Sequence, residues 1–211
     1  MFDIVCSIKN KDKFKERGKE LGFDKVFFLE SFEKASGKAD MLLISANSPR
    51  ELTRKIAKAV GKHKDKTIVV LGSNDDVNRT ALESKQVDVL LSPEHARKYD
   101  FTHYRNSGLN QVLCKIAAKN NKAIGINFNE IKKAKAKAES KEKALKLGRI
   151  MQNIRLCLKY NVKMLLASFS SKPVDMANAL DLLSFARAIG MSPKQAKDSL
   201  EVAGKIIKQQ K

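Results

Sequence analysis

GLNQVLCKIAAKNNKAIGINF, residues 108–128, contains two different apolar patterns in succession. In the first half, Leu109, Leu113 and Ile116 recur with the spacing of one face of an amphipathic helix. The second half, AIGINF, is a short continuous apolar run, which is typical of a strand that is covered on both faces. A helix that leads directly into a buried strand is the repeating unit of parallel α/β proteins. This stretch therefore indicates an α/β fold.

Short apolar runs of the same kind occur along the whole chain. They predict six further strands: FDIVCSI (2–8), DKVFFLE (24–30), DMLLIS (40–45), TIVVLG (67–72), VDVLLS (87–92) and VKMLLASF (162–169). Helical patterns lie between most of them, for example one that begins with Ser48 as N-cap and Pro49 in the first turn. Seven strands in 211 residues predict a TIM-like (β/α) barrel of about seven parallel strands, in a single domain over residues 1–211. An open doubly wound sheet is the alternative, but its usual glycine-rich phosphate loop is absent from the sequence.

Residues 132–146 form a lysine-rich connection, KKAKAKAESKEKALK, with seven lysines and two glutamates. The segment has no apolar face until Leu145. We expect a solvated helix or a mobile loop there, within the same domain, because the strand–helix alternation continues beyond it.

The net charge of the chain is strongly positive. Lys and Arg number 42 and Asp and Glu number 23, which gives a formal charge of +19 at pH 7. A surplus of this size predicts a polyanionic partner, most often nucleic acid. The alternative is a general lysine enrichment that serves solubility.

Residues with catalytic or metal-binding chemistry are sparse at the predicted strand ends. Most strands end near Ser or Asn residues that we expect to cap the following helices: Ser31, Ser45, Ser73, Ser92, Asn127, Ser168 and Ser170. The three histidines do not form a ligand motif, and no nucleophile stands beside a base. Lys25 and Lys163 lie at strand beginnings, away from the usual catalytic end. We predict no catalytic residue and no metal site; a metal-dependent phosphoesterase on a related barrel is the alternative.

The cysteine pattern and hydropathy indicate the compartment. Cys6, Cys114 and Cys157 are far apart in sequence and are predicted to be free, buried thiols, as in a reducing cytoplasm. The first residues, MFDIVCSIKN, lack the apolar segment of a signal peptide, and no run has the length of a spanning helix. We expect a cytoplasmic protein that does not associate with membranes.

Four stretches resemble ribonuclease P protein component 3, and the compact length is closest to its archaeal members. They are VDVLLSPE, GLNQVLCKIAAKNNKAIGINFNEI, VKMLLASFSSKPVDM and LDLLSFARAIGMSPKQAKDSLEV. The resemblance implies a barrel-shaped subunit of the ribonucleoprotein endonuclease that removes the 5′ leader of precursor tRNA. In that enzyme the catalytic centre is RNA. The protein would therefore bind no cofactor, and Mg²⁺ would be required by the RNA.

The resemblance also implies partners. They are ribonuclease P RNA, whose catalytic domain the protein would support, ribonuclease P protein component 2 and other holoenzyme subunits, and, indirectly, precursor tRNA. Basic residues are our candidates for RNA contact, with a solvated surface charge as the alternative for each: Arg79, Arg97, Arg105, Lys115, Lys119, Lys122, Arg155, Lys172 and Arg187. Tyr99, Phe101 and Tyr104 form an aromatic cluster that is predicted to bind component 2, although stacking on RNA bases is also consistent with it.

Overall fold

All seven strands of the barrel are parallel and follow one another in chain order. The computed structural model describes residues 1–132 and 137–208. Its strands are β1 (Phe2–Val5), β2 (Lys25–Ser31), β3 (Met41–Ile44), β4 (Thr67–Leu71), β5 (Val89–Leu91), β6 (Ala123–Asn127) and β7 (Lys163–Ala167). Each strand pairs with its sequence neighbour from β1 to β7. The predicted barrel of seven parallel strands is confirmed.

Helices connect the strands and cover the outside of the sheet. They are α1 (Lys11–Glu20), α2 (Pro49–Lys62), α3 (Asp75–Glu83), α4 (Gln111–Lys119), α5 (Phe128–Lys132), α6 (Lys137–Lys159), α7 (Ala179–Ala188) and α8 (Pro193–Lys208). The lysine-rich connection therefore becomes helical at Lys137, while residues 133–136 lie outside the described residues. None of the helices in the described part of the chain combines the length and the apolar character that crossing a bilayer requires.

Helix capping is achieved by residues other than most of those we expected. Ser48 caps α2 as predicted, since its side chain accepts a hydrogen bond from the Glu51 amide. The caps of the next connecting helices are Asn74 on α3, Asn110 on α4 and Asn178 on α7. Of the strand-end Ser and Asn residues that we expected to cap helices, Asn127 does so, since its Oδ1 accepts from the Glu130 amide at 3.3 Å at the start of α5. The prediction was wrong for most of the serines, because loop residues intervene between strand end and helix start.

Two apolar cores lie on the two sides of the strands. The larger contains residues such as Phe28, Val70 and Ile124 together with the apolar faces of the helices. The smaller gathers alternate strand residues, including Ile4 and Leu165, and fills the inside of the barrel. This division follows from the two-residue period of strands, which sends successive side chains to opposite faces.

The barrel closes between β1 and β7 without a continuous ladder. A single parallel bridge joins Val5 and Ser170, and the Phe169 amide donates to the carbonyl of Ile4 at 2.8 Å. Helix α8 packs against both strands and adds Val202 and other apolar residues to the inner core. A Cβ at Gly204 of α8 would overlap the ring of Phe2, so only glycine permits this close approach.

The buried carboxylate of Asp3 holds this seam together. It accepts hydrogen bonds from the Ser168 amide at 2.7 Å and from the Ser168 hydroxyl at 2.5 Å. Burial raises the pKa of Asp3 to about 6, although the bonds from Ser168 act in the opposite direction. Two strand-end serines that we expected to cap helices, Ser168 and Ser170, lie instead in this seam, where their hydroxyls are 3.3 Å apart.

Helices α4 and α6 meet at two buried cysteines. The neighbouring Cys114 thiol and burial together raise the pKa of the Cys157 thiol. Both are free thiols and buried as predicted, whereas Cys6 is only half-buried.

Candidate nucleic-acid interface

Four ionisable side chains meet where β5 and β6 end, and we call them the rim cluster: Glu94, His95, Glu130 and Lys146. Glu130 is the centre of the cluster. One of its oxygens lies 3.3 Å from Nδ1 of His95 and the other accepts from Nζ of Lys146 at 2.9 Å. Glu94 is only 3% exposed and accepts from Nδ2 of Asn153 at 3.1 Å. The carboxylates of the rim are therefore bonded within the protein.

The two carboxyl groups of the rim cluster have opposite pKa shifts. Burial raises the pKa of Glu94 to about 7, and the nearby charge of Glu130 contributes in the same direction. Burial also acts to raise the pKa of Glu130, but the hydrogen bonds from His95 and Lys146 outweigh it and lower that pKa to about 2. A raised carboxyl pKa often marks a catalytic acid. Here the group is enclosed and held by α6, so its geometry is that of a structural contact.

Helix α6 fixes the long segment between β5 and α4, residues 92–110, which we call the β5–α4 loop. Arg149 of α6 is 4% exposed and donates to Asp100 at 2.6 Å and to the carbonyl of Arg97 at 2.7 Å. Gln152 donates to the carbonyl of Arg105 at 3.2 Å. Asn153 donates to the carbonyl of Ser107 at 2.9 Å. The loop is thus anchored at several points along one helix.

Between the anchored loop and the outer side of α6 lies a groove of about 600 Å³. We define the α6 groove by six of its lining residues: Tyr104, Arg105, Leu147, Gly148, Met151 and Arg155. The guanidinium of Arg105 lies directly on the backbone of Gly148, where a Cβ would overlap it. Arg105 and Arg155 are both exposed, and within the described residues neither forms an ion pair. The groove therefore combines an apolar floor with two unneutralised cations.

Two predicted RNA-binding residues have cationic groups that are occupied within the protein. The Arg97 side chain is 8% exposed and pairs with Asp75 at 2.7 Å. Lys122 is 6% exposed and donates to the carbonyls of Val87 and Lys85 at 2.5 and 3.2 Å. Lys122 also precedes β6, so it lies at the opposite end of the barrel from the rim cluster. The structure gives both residues internal contacts, and sequence position alone does not distinguish them from exposed cations.

The remaining predicted RNA-binding residues are exposed but dispersed. Arg79 on α3 pairs with Glu83 at 2.8 Å. Four others lie on three different elements and are exposed: Lys115 and Lys119 on α4, Lys172 after β7 and Arg187 on α7. The structure brings only Arg105 and Arg155 of the predicted set into the α6 groove.

The predicted aromatic cluster is exposed on the β5–α4 loop. Tyr99, Phe101 and Tyr104 are 81%, 48% and 62% exposed. The rings of Phe101 and Tyr104 are in contact, with centroids 4.5 Å apart and planes tilted by 33°, and the Phe101 amide donates to the carbonyl of Tyr104. Tyr104 also lines the α6 groove. An aromatic residue predicted for a protein partner thus shares one surface with arginines predicted for RNA.

Sequence reasoning missed the residues of α6 that build this surface. Arg149 and Asn153 fall at helical spacing beside the buried Ile150 and Ile154, so periodicity alone places them on the covered face. Gly148 stands inside a helix of good helix formers, and an isolated glycine there usually has a packing reason. These two signals indicate a covered face and a close contact on α6, and the structure shows that the segment held there is the β5–α4 loop.

Metal ligation finds no support in the described part of the chain. Within residues 1–132 and 137–208, no three His, Cys, Asp or Glu side chains are grouped so that they could hold a metal ion. In the rim cluster, Glu130 is already bonded to His95 and Lys146.

These features define a class of protein: a parallel β/α barrel whose strand rim is internally bonded and whose cationic surface lies outside it. Residues 29–211 match the family model described as RNase P subunit p30, and the chain belongs to that family.

Curated relatives support the same membership. The chain is 32% identical over 172 residues to ribonuclease P protein component 3 of Methanothermobacter thermautotrophicus, an alignment that covers 82% of this chain and 63% of that protein. It is 34% identical over 152 residues to the component 3 of Methanosarcina mazei, covering 71% of this chain and 59% of that protein. The chain thus spans about three fifths of the length of these two relatives.

Solved structures share the fold. A chain in the cryo-EM structure of archaeal ribonuclease P with mature tRNA has a TM-score of 0.69 at 24% identity, and the match covers 99% of this chain and 80% of that one. The ochratoxinase of A. niger has a TM-score of 0.56 at 13% identity, with 76% of this chain and 38% of that one covered. At such low identity both likenesses concern the barrel alone.

Proposed function

We propose that this chain is a non-catalytic, RNA-binding subunit of ribonuclease P, in which RNA carries the reaction that removes the 5′ leader of precursor tRNA. Membership of the RNase P subunit p30 family over residues 29–211 supports the assembly. The observation that carries the role is the separation of charges: the rim cluster is internally bonded, whereas Arg105 and Arg155 are unpaired within the described residues.

The physical role of the protein would be to neutralise and position phosphates. RNA helices are recognised mainly through phosphates, 2′-hydroxyls and shape, and exposed lysine and arginine side chains suit that contact. The nine predicted basic residues stay candidates, and those with free, exposed side chains are the stronger ones. Mg²⁺ would serve the RNA, since protein cations and metal ions neutralise the same phosphates.

The proposal includes a protein partner, ribonuclease P protein component 2, and indirect contact with precursor tRNA. Two exposed apolar surfaces compete for that partner. One is the aromatic cluster of Tyr99, Phe101 and Tyr104. The other is near α7, where Leu180 is 67% exposed and Val174 is 77% exposed. Exposed apolar side chains of this size are common at protein interfaces.

Reconstitution tests the proposal directly. Catalytic RNA, component 2 and this full chain are combined with precursor tRNA, and each is omitted in turn while cleavage is followed over a range of Mg²⁺ concentrations. We expect no cleavage without the RNA, and a lower Mg²⁺ requirement when the protein is present. The variant Arg105→Glu should raise that requirement, whereas Arg54→Glu on α2 serves as the charge-matched control.

Cleavage by the protein in the absence of RNA would contradict the proposal and favour the metal-dependent phosphoesterase alternative. An unchanged Mg²⁺ requirement with and without the wild-type chain would contradict the supporting role.

A further inference from the structure

We infer that the α6 groove binds an unpaired nucleotide of RNA, with the base against Tyr104 and the adjoining phosphates on Arg105 and Arg155. The inference rests on the proposed function and deepens it, because it names one site and the form of RNA that fits it. The main observation behind it is that one groove contains an exposed aromatic ring, two arginines without ion-pair partners and an apolar floor.

The groove is built in advance of binding. The guanidinium of Arg105 lies on the backbone of Gly148, and Gln152 holds the carbonyl of Arg105 at 3.2 Å and the hydroxyl of Ser107 at 3.3 Å. The loop backbone is therefore fixed at the residue that supplies one cation. Groups that are positioned before binding lose less conformational entropy when the ligand arrives.

The charge of the groove fits phosphate. Its lining contains Arg105 and Arg155 and no acidic side chain within the described residues. Arginine forms bidentate hydrogen bonds to phosphate oxygens and stacks on planar rings, so it can serve both parts of a nucleotide. Lys146 and Arg149 of the same helix differ, because they already bond to carboxylates.

The aromatic ring is positioned for stacking. Tyr104 is 62% exposed, and the ring of Phe101 supports it with centroids 4.5 Å apart. Leu147 and Met151 form an apolar floor beside it. The volume of about 600 Å³ lies within the range of small-ligand sites.

An unpaired nucleotide fits these contacts better than a duplex or a protein segment. A base within a duplex is stacked on both faces and cannot cover Tyr104, whereas an unpaired base exposes a face and remains joined to phosphates. A protein partner would have to supply carboxylates for two arginines together with an apolar side chain. Because Tyr104 and Arg105 line the same groove, one ligand can contact both, and unpaired RNA supplies both chemistries in a single unit.

Fluorescence anisotropy with two labelled probes tests the inference on the full chain. The probes are a single strand of ten uridines and a blunt ten-base-pair RNA duplex. The variant Tyr104→Ala should weaken binding of the single strand about fivefold or more, with little effect on the duplex. Tyr104→Phe should restore single-strand binding, because the ring is kept. Neither substitution changes a charge, so the salt dependence should stay that of the wild type.

A substitution at Gly148 gives a second, independent test of the groove. In Gly148→Ala the new Cβ displaces the flexible end of Arg105, so single-strand affinity should fall about two- to fivefold while the helix stays intact. Gly61→Ala on α2 is the control, since nothing lies within 4 Å of a Cβ there. Circular dichroism checks that both variants are folded.

Each alternative result has a definite meaning. Equal losses for strand and duplex, or wild-type binding by both groove variants, would overturn the inference while RNA binding itself survives. A loss of component 2 affinity with unchanged oligouridine affinity would assign the groove to the protein partner instead. If the wild-type chain binds neither probe, the proposed RNA-binding role fails together with this inference.

Discussion

Two regions of α6 use their cations in opposite ways. Toward the barrel, Lys146 and Arg149 bond to Glu130 and Asp100 at 2.9 and 2.6 Å. On the outer side, Arg155 lies beside Arg105 in the α6 groove, with no carboxylate in the lining within the described residues. The first region holds the β5–α4 loop in place, and the second presents charge to solvent. A net charge of +19 is therefore not a uniform property of the surface.

The difference teaches that an arginine near a strand end can serve either the fold or a ligand. A cation that is bonded to a buried carboxylate is costly to free, whereas an unpaired exposed cation binds phosphate without first breaking a contact. The predictions below test this division, beginning with the largest expected effect.

Removal of the charge of Arg149 should destabilise the fold strongly. Arg149→Met leaves Asp100 without its cation in a largely enclosed site, and the loss of one partner of such a pair costs about 3 to 5 kcal/mol. Urea unfolding monitored by circular dichroism measures the loss. Arg155→Met on the same helix is the control, with an expected change within about 0.5 kcal/mol because that side chain is exposed. Equal stability of the two variants would remove the distinction between the regions.

The pH dependence of stability should identify the contribution of Glu94. Its pKa is raised to about 7 in the folded protein, so its contribution to stability is present below its ordinary pKa and is lost as the pH rises through 7. In Glu94→Gln this loss does not occur. Between pH 5 and pH 8, the free energy of unfolding of the variant should therefore rise by about 3 kcal/mol relative to that of the wild type.

Urea midpoints at the two pH values measure this gain. Glu16→Gln on α1 controls for the general effect of removing an exposed carboxylate. Asp3 acts in the same direction as Glu94 and stays unchanged in both variants, so its contribution cancels in the comparison. A difference between variant and wild type that does not depend on pH would contradict the buried, protonated state of Glu94.

The smallest expected effect is on the salt dependence of RNA affinity. The double variant Arg105→Gln, Arg155→Gln should lose about 1 kcal/mol or less of affinity for each arginine. Its plot of log affinity against log salt for a single strand should flatten by about 1.4, since each phosphate contact contributes about 0.7. The double variant Arg54→Gln, Lys58→Gln on α2 removes the same amount of charge outside the groove. Its slope should stay steeper than that of the groove variant. Identical slopes for the two double variants would mean that the α6 groove has no special role.

The fold was predictable because it depends on short-range patterns. Strands such as Ala123–Asn127 carry continuous apolar residues that only a sheet with two covered faces accommodates. Ser48 and Pro49 likewise predict the start of α2, because serine favours the N-cap and proline favours the first helical position. No comparable pattern predicts the seam between β1 and β7, because the contact of Asp3 with Ser168 depends on how two distant strands meet.

The candidate site was predictable only in part. Arg97 and Arg105 stand in the same loop and look alike in sequence, yet one pairs with Asp75 and the other lies on Gly148. Which cation is neutralised depends on carboxylates supplied by other elements. A local sequence pattern does not identify those carboxylates. Periodicity does reveal the inner face of α6, so the buried Arg149 was within reach of sequence reasoning.

The seam between β1 and β7 bears on how the chain becomes a barrel during its synthesis. The bonded residues Asp3 and Ser168 are 165 positions apart, so β1 leaves the ribosome long before its second neighbour exists. Contacts between such distant segments form late, because the intervening chain must be ordered first. Until then one edge of β1 carries unpaired backbone groups, which are prone to pair with other chains. The interval in which the nascent protein is vulnerable to aggregation therefore ends with the emergence of β7 and α8.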